Sequence, residues 1–334
     1  MVTSRIGAAT PTYAQVGVAA PILLVTMRLI QGFSLGGEFT GSMVYTTELA
    51  SARARGFVSS STAAGVTIGF ILGSLSAWLV TRFMAPEAVA SWGWRIPFVG
   101  SVFFFALGYF LRRGIHETEE GVKAAAIRPP LFASLAGDWL PMVRTFGIIA
   151  TTNAAYYLTF TYVVERRKAL AAASGASDGS IFLLANTLTL VIVLFSKPFG
   201  GWLSDRTGRR RLMLVLTGAI MALIYPALKA MLYGTPMQFV LAQASLAIPL
   251  GMALGLQGAM LVEIFPLATR VTSMSVAYSV TLALAGGSAP LVSAWLIETF
   301  HEPLAPAYYI LLHGVIGILL MLPMKETNAR SLDE

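Results

Sequence analysis

Arg28 and Glu38 are ionisable side chains set inside an apolar stretch, Arg28-Leu-Ile-Gln-Gly-Phe-Ser-Leu-Gly-Gly-Glu38. On a helix, their separation places them about 15 Å apart along the axis and within a quarter turn of each other. They therefore share a polar stripe without touching. Such groups cost several kcal/mol at the centre of a bilayer unless paired or hydrated, and by default they mark a path for ions or substrate. The chemistry this pattern admits is protonation of Glu38, with Arg28 tuning it or meeting an anion. The structural alternative is that each pairs with another helix and holds a bundle together.

A second set lies in Ala150-Thr-Thr-Asn-Ala-Ala-Tyr-Tyr-Leu-Thr159, where Asn153, Tyr156 and Tyr157 present hydrogen-bonding groups on adjoining helix faces. They line a cavity, or they form interhelical hydrogen bonds or an aromatic belt. Gln257, Glu263 and Tyr278 are further candidates for a substrate site. Lys197, just before Pro198, is read as snorkelling its ammonium to the membrane interface, in preference to the alternative of a substrate role, and Lys229 as similarly placed near the other face.

These residues need long apolar helices to hold them, and the composition supplies them. Hydrophobic residues make up 56% of the 334, charged residues 12%, and mean hydropathy is +0.72. A soluble domain carries roughly 25% charged residues. A span needs about 20 mostly apolar residues, and nine stretches qualify, at about 20–46, 57–81, 96–111, 145–165, 180–203, 212–232, 237–263, 272–297 and 306–324. Gly286-Gly-Ser-Ala-Pro290 interrupts the eighth, a mark of discontinuous backbone lining a cavity. Gly65, Gly69 and Gly73, spaced by four, predict close helix packing, as do Gly32, Gly36, Gly37 and Gly41 before them.

The loop Leu203-Ser-Asp-Arg-Thr-Gly-Arg-Arg-Arg-Leu212 sets the orientation, because short loops rich in Lys and Arg are retained in the cytoplasm. Strict alternation then puts fourteen basic residues inside and six outside, with the C-terminus inside. The outside cluster Glu165-Arg-Arg-Lys168 runs against the rule. The net charge of +7 suits cytoplasmic loops, not nucleic acid, since the basic residues sit at the ends of apolar runs. There are no cysteines, the three histidines show no metal-ligand spacing, and no catalytic triad or paired carboxylate stands out, so an enzyme is not expected and no cofactor or metal is implied. The long polar connection at 112–144 divides the chain into 1–111, with three spans, and 145–334, with six. Three spans make half of a six-helix bundle, so three further N-terminal spans are expected to be missing.

With these residues in view, the chain resembles the metabolite:proton symporters of the major facilitator superfamily, of the proline/betaine and organic-acid type. The resemblance rests on Arg28-x-x-Gln31-Gly32-Phe-Ser-x-Gly36-Gly37-Glu38, Trp92-Gly-Trp-Arg-Ile-Pro97, Gly201-Trp-Leu-Ser-Asp-Arg-Thr-Gly-Arg-Arg210, Pro306-Ala-Tyr-Tyr309 and Lys325-Glu-Thr327. It implies an all-α membrane fold of twelve helices in two bundles, about nine present here. It also implies that Arg28 and Gln31 belong to a motif associated with proton coupling, with Glu38 beside them. By the same resemblance Asp205, Arg206, Gly208, Arg209 and Arg210 form a cytoplasmic gating loop. The second span lacks the Gly-Pro motif of drug/proton antiporters, which favours symport. The expected function is proton-driven import of a small organic acid or zwitterion through the inner membrane by a monomer, its partners being substrate, protons and lipid. The rival expectation is an inactive transporter fragment or a non-transporting membrane sensor.

Overall fold

A computed structural model describes residues 16–112, 129–173, 180–328 and 332, with the backbone alone at 21, 24, 25, 27–36, 105, 111, 112, 172 and 180. The described chain is helical from end to end. In order the helices are α1 (Ala19–Glu48), α2 (Arg55–Phe83), α3 (Pro86–Ser91), α4 (Ile96–Arg112), α5 (Leu131–Gly137), α6 (Trp139–Tyr157), α7 (Val163–Ala173), α8 (Ser180–Thr207), α9 (Arg209–Tyr233), α10 (Pro236–Ile264), α11 (Arg270–Thr281), α12 (Ala289–Phe300) and α13 (Ala305–Met321). A π-helical turn, Leu158–Tyr162, joins α6 to α7, and another, Leu282–Gly287, joins α11 to α12.

Among the described residues, six stretches are long and apolar enough to cross a membrane: Arg55–Phe83, Gly93–Phe110, Ile181–Thr207, Arg209–Tyr233, Pro236–Ile264 and Arg270–Phe300. Ala305–Met321 is apolar but shorter. The two remaining expected spans, 20–46 and 145–165, are helical throughout. The fourth of the nine begins earlier than expected, at Trp139, because apolar residues and Pro141 continue the helix in its first turn, where a missing N–H is tolerated.

Local sequence explains the ends. Thr235 and Gln238 form a reciprocal capping box at the start of α10, with Pro236 in the first turn. Gly208 turns the chain between α8 and α9 at φ 99°, a conformation L side chains rarely adopt. At the far end of α9, Arg167 donates from both terminal nitrogens to the carbonyls of Leu232 and Gly234, each at 2.7 Å. That contact gives the exceptional cluster Glu165-Arg-Arg-Lys168 a structural role, since a guanidinium there satisfies helix-end carbonyls and complements the negative end of the dipole.

At the centre, α8 packs along both α10 and α2, while α6 packs on α13 and α11, and α1 on α2 and α11. A Cβ on Gly200 or Gly251 would run into the backbone of the facing helix, so these glycines let α8 and α10 approach closely. Among the described residues, a Cβ at Gly65, Gly69 or Gly73, as at Gly37 and Gly41, would meet nothing within 4 Å. Gly32 and Gly36 lie outside the described side chains. Large apolar residues such as Phe103, Phe110, Leu291 and Trp295 point outward, as lipid-facing positions do.

Candidate functional site: a central cavity and a bolted end

The helices border an open cavity of about 1410 Å³. Glu38, Asn153, Tyr156, Tyr157, Gln257 and Tyr278 all stand on its wall, brought there by α1, α6, α10 and α11. Arg28 and Gln31 lie outside the described side chains. Asn153 turns its amide back onto the Ile149 carbonyl at 2.9 Å. The Tyr156 hydroxyl and the Gln257 side-chain oxygen are buried without a hydrogen-bond partner among the described residues. Aromatic rings gather around them: Phe39 lies 5.4 Å from Tyr278, Phe70 5.6 Å from Tyr156, and Tyr156 6.3 Å from Tyr157, centroid to centroid. Such a wall can hold apolar surface and, through the ring faces, a cation.

Lys197 is also on that wall. The expectation that it snorkels is overturned, because α8 continues to Thr207 and leaves Lys197 deep in the helix, only 3% exposed. Its ammonium donates across to α2, to the Ala63 carbonyl at 2.6 Å and to the Thr67 hydroxyl. Gly255 of α10 holds it there from behind, since any side chain at that position would strike the backbone of Lys197. Among the described lining residues, Glu38 and Lys197 are the two that carry charge.

One end of the assembly, where the Arg-rich loop lies, is bolted by buried ion pairs. Asp205 accepts hydrogen bonds from the Gly56 and Phe57 N–H groups at 2.8 and 3.0 Å, capping the start of α2 with negative charge where the helix dipole is positive. Arg209 donates to Asp205 at 2.7 Å, to Ser204 at 2.7 Å and to Glu263 at 3.1 Å, with its side chain fully buried. Glu263 also accepts from Thr327 at 2.6 Å, so it belongs to this end and not to the cavity. Arg270 pairs with Glu48 at 3.1 Å and reaches the Leu332 carbonyl at 2.8 Å.

Gly56 and Gly201 permit the contact, since a Cβ on either would collide with the other's backbone. The Glu326 carboxylate caps α9 through the Arg210 and Arg211 N–H groups, at 3.1 and 3.0 Å, and occupies the space a side chain at Gly208 would need. Arg210 reaches the Met321 and Leu322 carbonyls. Arg206 does not join the network but lies over the Trp202 ring at 4.1 Å. Sequence reasoning missed Glu48, Arg270, Glu326 and the pair Thr40–Ser275, whose hydroxyls meet at 2.6 Å between α1 and α11. The signal for the charged ones was their place in short polar connections facing one another across the fold.

Membrane-length helices around a polar, aromatic-lined cavity, fastened at one end by buried charge, define a multi-pass membrane transport protein. Comparison with known proteins agrees. Residues 1–119 match the family described as "Sugar (and other) transporter" and residues 169–331 the Major Facilitator Superfamily. The proline/betaine transporter of Salmonella typhimurium is 31% identical over 96% of this chain and 66% of its own length. The citrate-proton symporter of Klebsiella pneumoniae is 33% identical over 92% of this chain and 69% of its own. A solved structure of the proton:xylose symporter XylE, bound to 6-bromo-6-deoxy-D-glucose, superposes with a TM-score of 0.77 at 19% identity, over 99% of this chain and 79% of that one. The chain belongs to the major facilitator superfamily, a family of transporters and not of enzymes. It spans about two thirds of the length of the curated relatives it matches.

Proposed function

We propose that this chain serves proton-coupled uptake of a small zwitterion or organic acid across the plasma membrane, with the Arg-rich end in the cytoplasm. Its helices belong to two bundles, 1–111 and 145–334, joined by the connection 112–144. The observation that carries the reading is the presence of one carboxylate, Glu38, and one ammonium, Lys197, on the wall of a cavity whose other described lining residues are uncharged. A zwitterion matches that balance of charge, its carboxylate toward Lys197 and its cationic nitrogen toward Glu38 and the rings. A tricarboxylate would bring more negative charge than the described wall offsets. The name of one relative, a proline/betaine transporter, supports the zwitterion, and that of another, a citrate-proton symporter, supports the wider class of organic acids and the coupling to protons. Proton coupling is assigned to Glu38, where taking up a proton removes the cost of carrying a charge through reorientation. Asp205, Gly208, Arg209 and Arg210 form the gate that must open for release inward.

The test is uptake of labelled proline, glycine betaine and citrate into proteoliposomes under an imposed inward proton gradient. Uptake of the zwitterions is expected to rise with the gradient and to lose that dependence in Glu38→Gln. Uptake that is indifferent to the gradient in the unaltered chain would refute the coupling. Uptake that stays gradient-driven in Glu38→Gln would remove Glu38 from it.

A further inference from the structure

We propose that Lys197 is the carboxylate-binding residue of the cavity, held ready on α2 by Ala63 and Thr67. This rests on the reading that the cavity takes a small acid or zwitterion, and adds to it the atom that receives the acid. An ammonium has three N–H donors. Two are engaged, by the Ala63 carbonyl and the Thr67 hydroxyl, both neutral acceptors on the helix facing α8. Lys197 forms no ion pair among the described residues. A buried cation held only by neutral dipoles lacks the counter-charge that makes burial tolerable, and this one borders the central cavity.

Two further buried groups on the same wall, the Tyr156 hydroxyl and the Gln257 amide oxygen, also lack hydrogen-bond partners among the described residues. A carboxylate drawn to Lys197 would find the third ammonium donor and the Tyr156 hydroxyl, while Gln257 offers an acceptor to a substrate N–H. A purely structural lysine would gain nothing from cavity access. The position also has a consequence for motion. A carboxylate on the third donor draws the ammonium toward itself and so competes with Ala63 and Thr67 for its charge, which weakens the tie between α8 and α2.

The experiment measures binding to the purified full chain by ligand-induced thermal stabilisation, using L-proline against L-prolinamide and glycine betaine against choline. Each pair differs in the carboxylate. The unaltered chain is expected to bind the acids and to bind the analogues lacking the acid much more weakly. Lys197→Met, close in volume and without charge, should weaken the acids about tenfold or more, the worth of a charge-assisted hydrogen bond, and leave the analogues unchanged. Lys197→Arg should recover part of the loss.

Equal binding of the acids by the unaltered chain and Lys197→Met would overturn this proposal while leaving the substrate class standing. No binding of any probe by the unaltered chain would overturn both. If Lys197→Met does not fold, Thr67→Val decides: it removes a competing acceptor and should tighten the acids several-fold. Unchanged or weaker binding there would count against the role given to Lys197.

Discussion

A guanidinium with no exposed surface is tolerable only if its N–H groups find acceptors, and Arg209 meets that demand with Asp205, Ser204 and Glu263. Two carboxylates share one cation, and Asp205 offsets the imbalance by facing the positive end of α2. Removing the shared cation is therefore the worst single change at this end. Arg209→Met is expected to destabilise the chain by about 3–5 kcal/mol, because it strands buried carboxylates. Arg209→Lys should recover little, since one ammonium cannot reproduce the forked geometry. Glu263→Gln, which leaves the Asp205 pair intact, should cost less than Arg209→Met. Unfolding of the three variants in one detergent checks the order, and an Arg209→Lys as stable as the original would show that geometry is unimportant here. At this scale the sequence was legible where polar groups interrupt apolar runs, as at Glu38, Asn153 and Gln257. Lys197 misled, because whether a lysine can reach the interface depends on how far its helix continues, and the helix runs to Thr207, beyond the apolar stretch that ends at 203.

At the scale of elements, the nine helical stretches were legible because apolar length is the main requirement of a lipid environment. Their interruptions were legible only in part. The turn at Leu282–Gly287 announces itself through Gly286 and Gly287 and the proline that follows. The turn at Leu158–Tyr162 contains neither residue type and depends on a tertiary partner: Gln243 of α10 donates to the Thr159 carbonyl at 3.1 Å and to Asn186 at 2.9 Å. The same amide accepts from Thr189 at 2.7 Å. No local pattern shows such a partner. Gln243→Leu is expected to cost about 1–3 kcal/mol, the penalty for leaving buried polar groups unmet. Hydrogen exchange should rise around residues 158–162 in that variant and not in α9, and equal exchange in both proteins would mean the π-helical turn holds itself.

For the molecule as a whole, the contacts at the Arg-rich end set what must move. Asp205 on α8 holds the start of α2, Glu48 on α1 holds Arg270 on α11, and Thr40 on α1 meets Ser275 on α11. If transport requires the cavity to open at this end, as proposed, all three contacts have to separate in every cycle. The chain contains no cysteine, so an introduced pair reports on itself without a background. The Thr40 and Ser275 hydroxyl oxygens are 2.6 Å apart, near enough for two sulfurs in their place to bond with little movement of the backbone. In the doubly substituted Thr40→Cys, Ser275→Cys protein, oxidation is expected to abolish uptake while leaving ligand-induced stabilisation measurable, because the bond fastens α1 to α11 beside the cavity and alters one lining residue, Ser275, while Lys197, Glu38 and the aromatic wall stay in place. Reduction should restore uptake, and each single substitution should be insensitive to oxidant. Full uptake by the oxidised pair would show that α1 and α11 stay together through the cycle, and the opening would then have to lie between other helices.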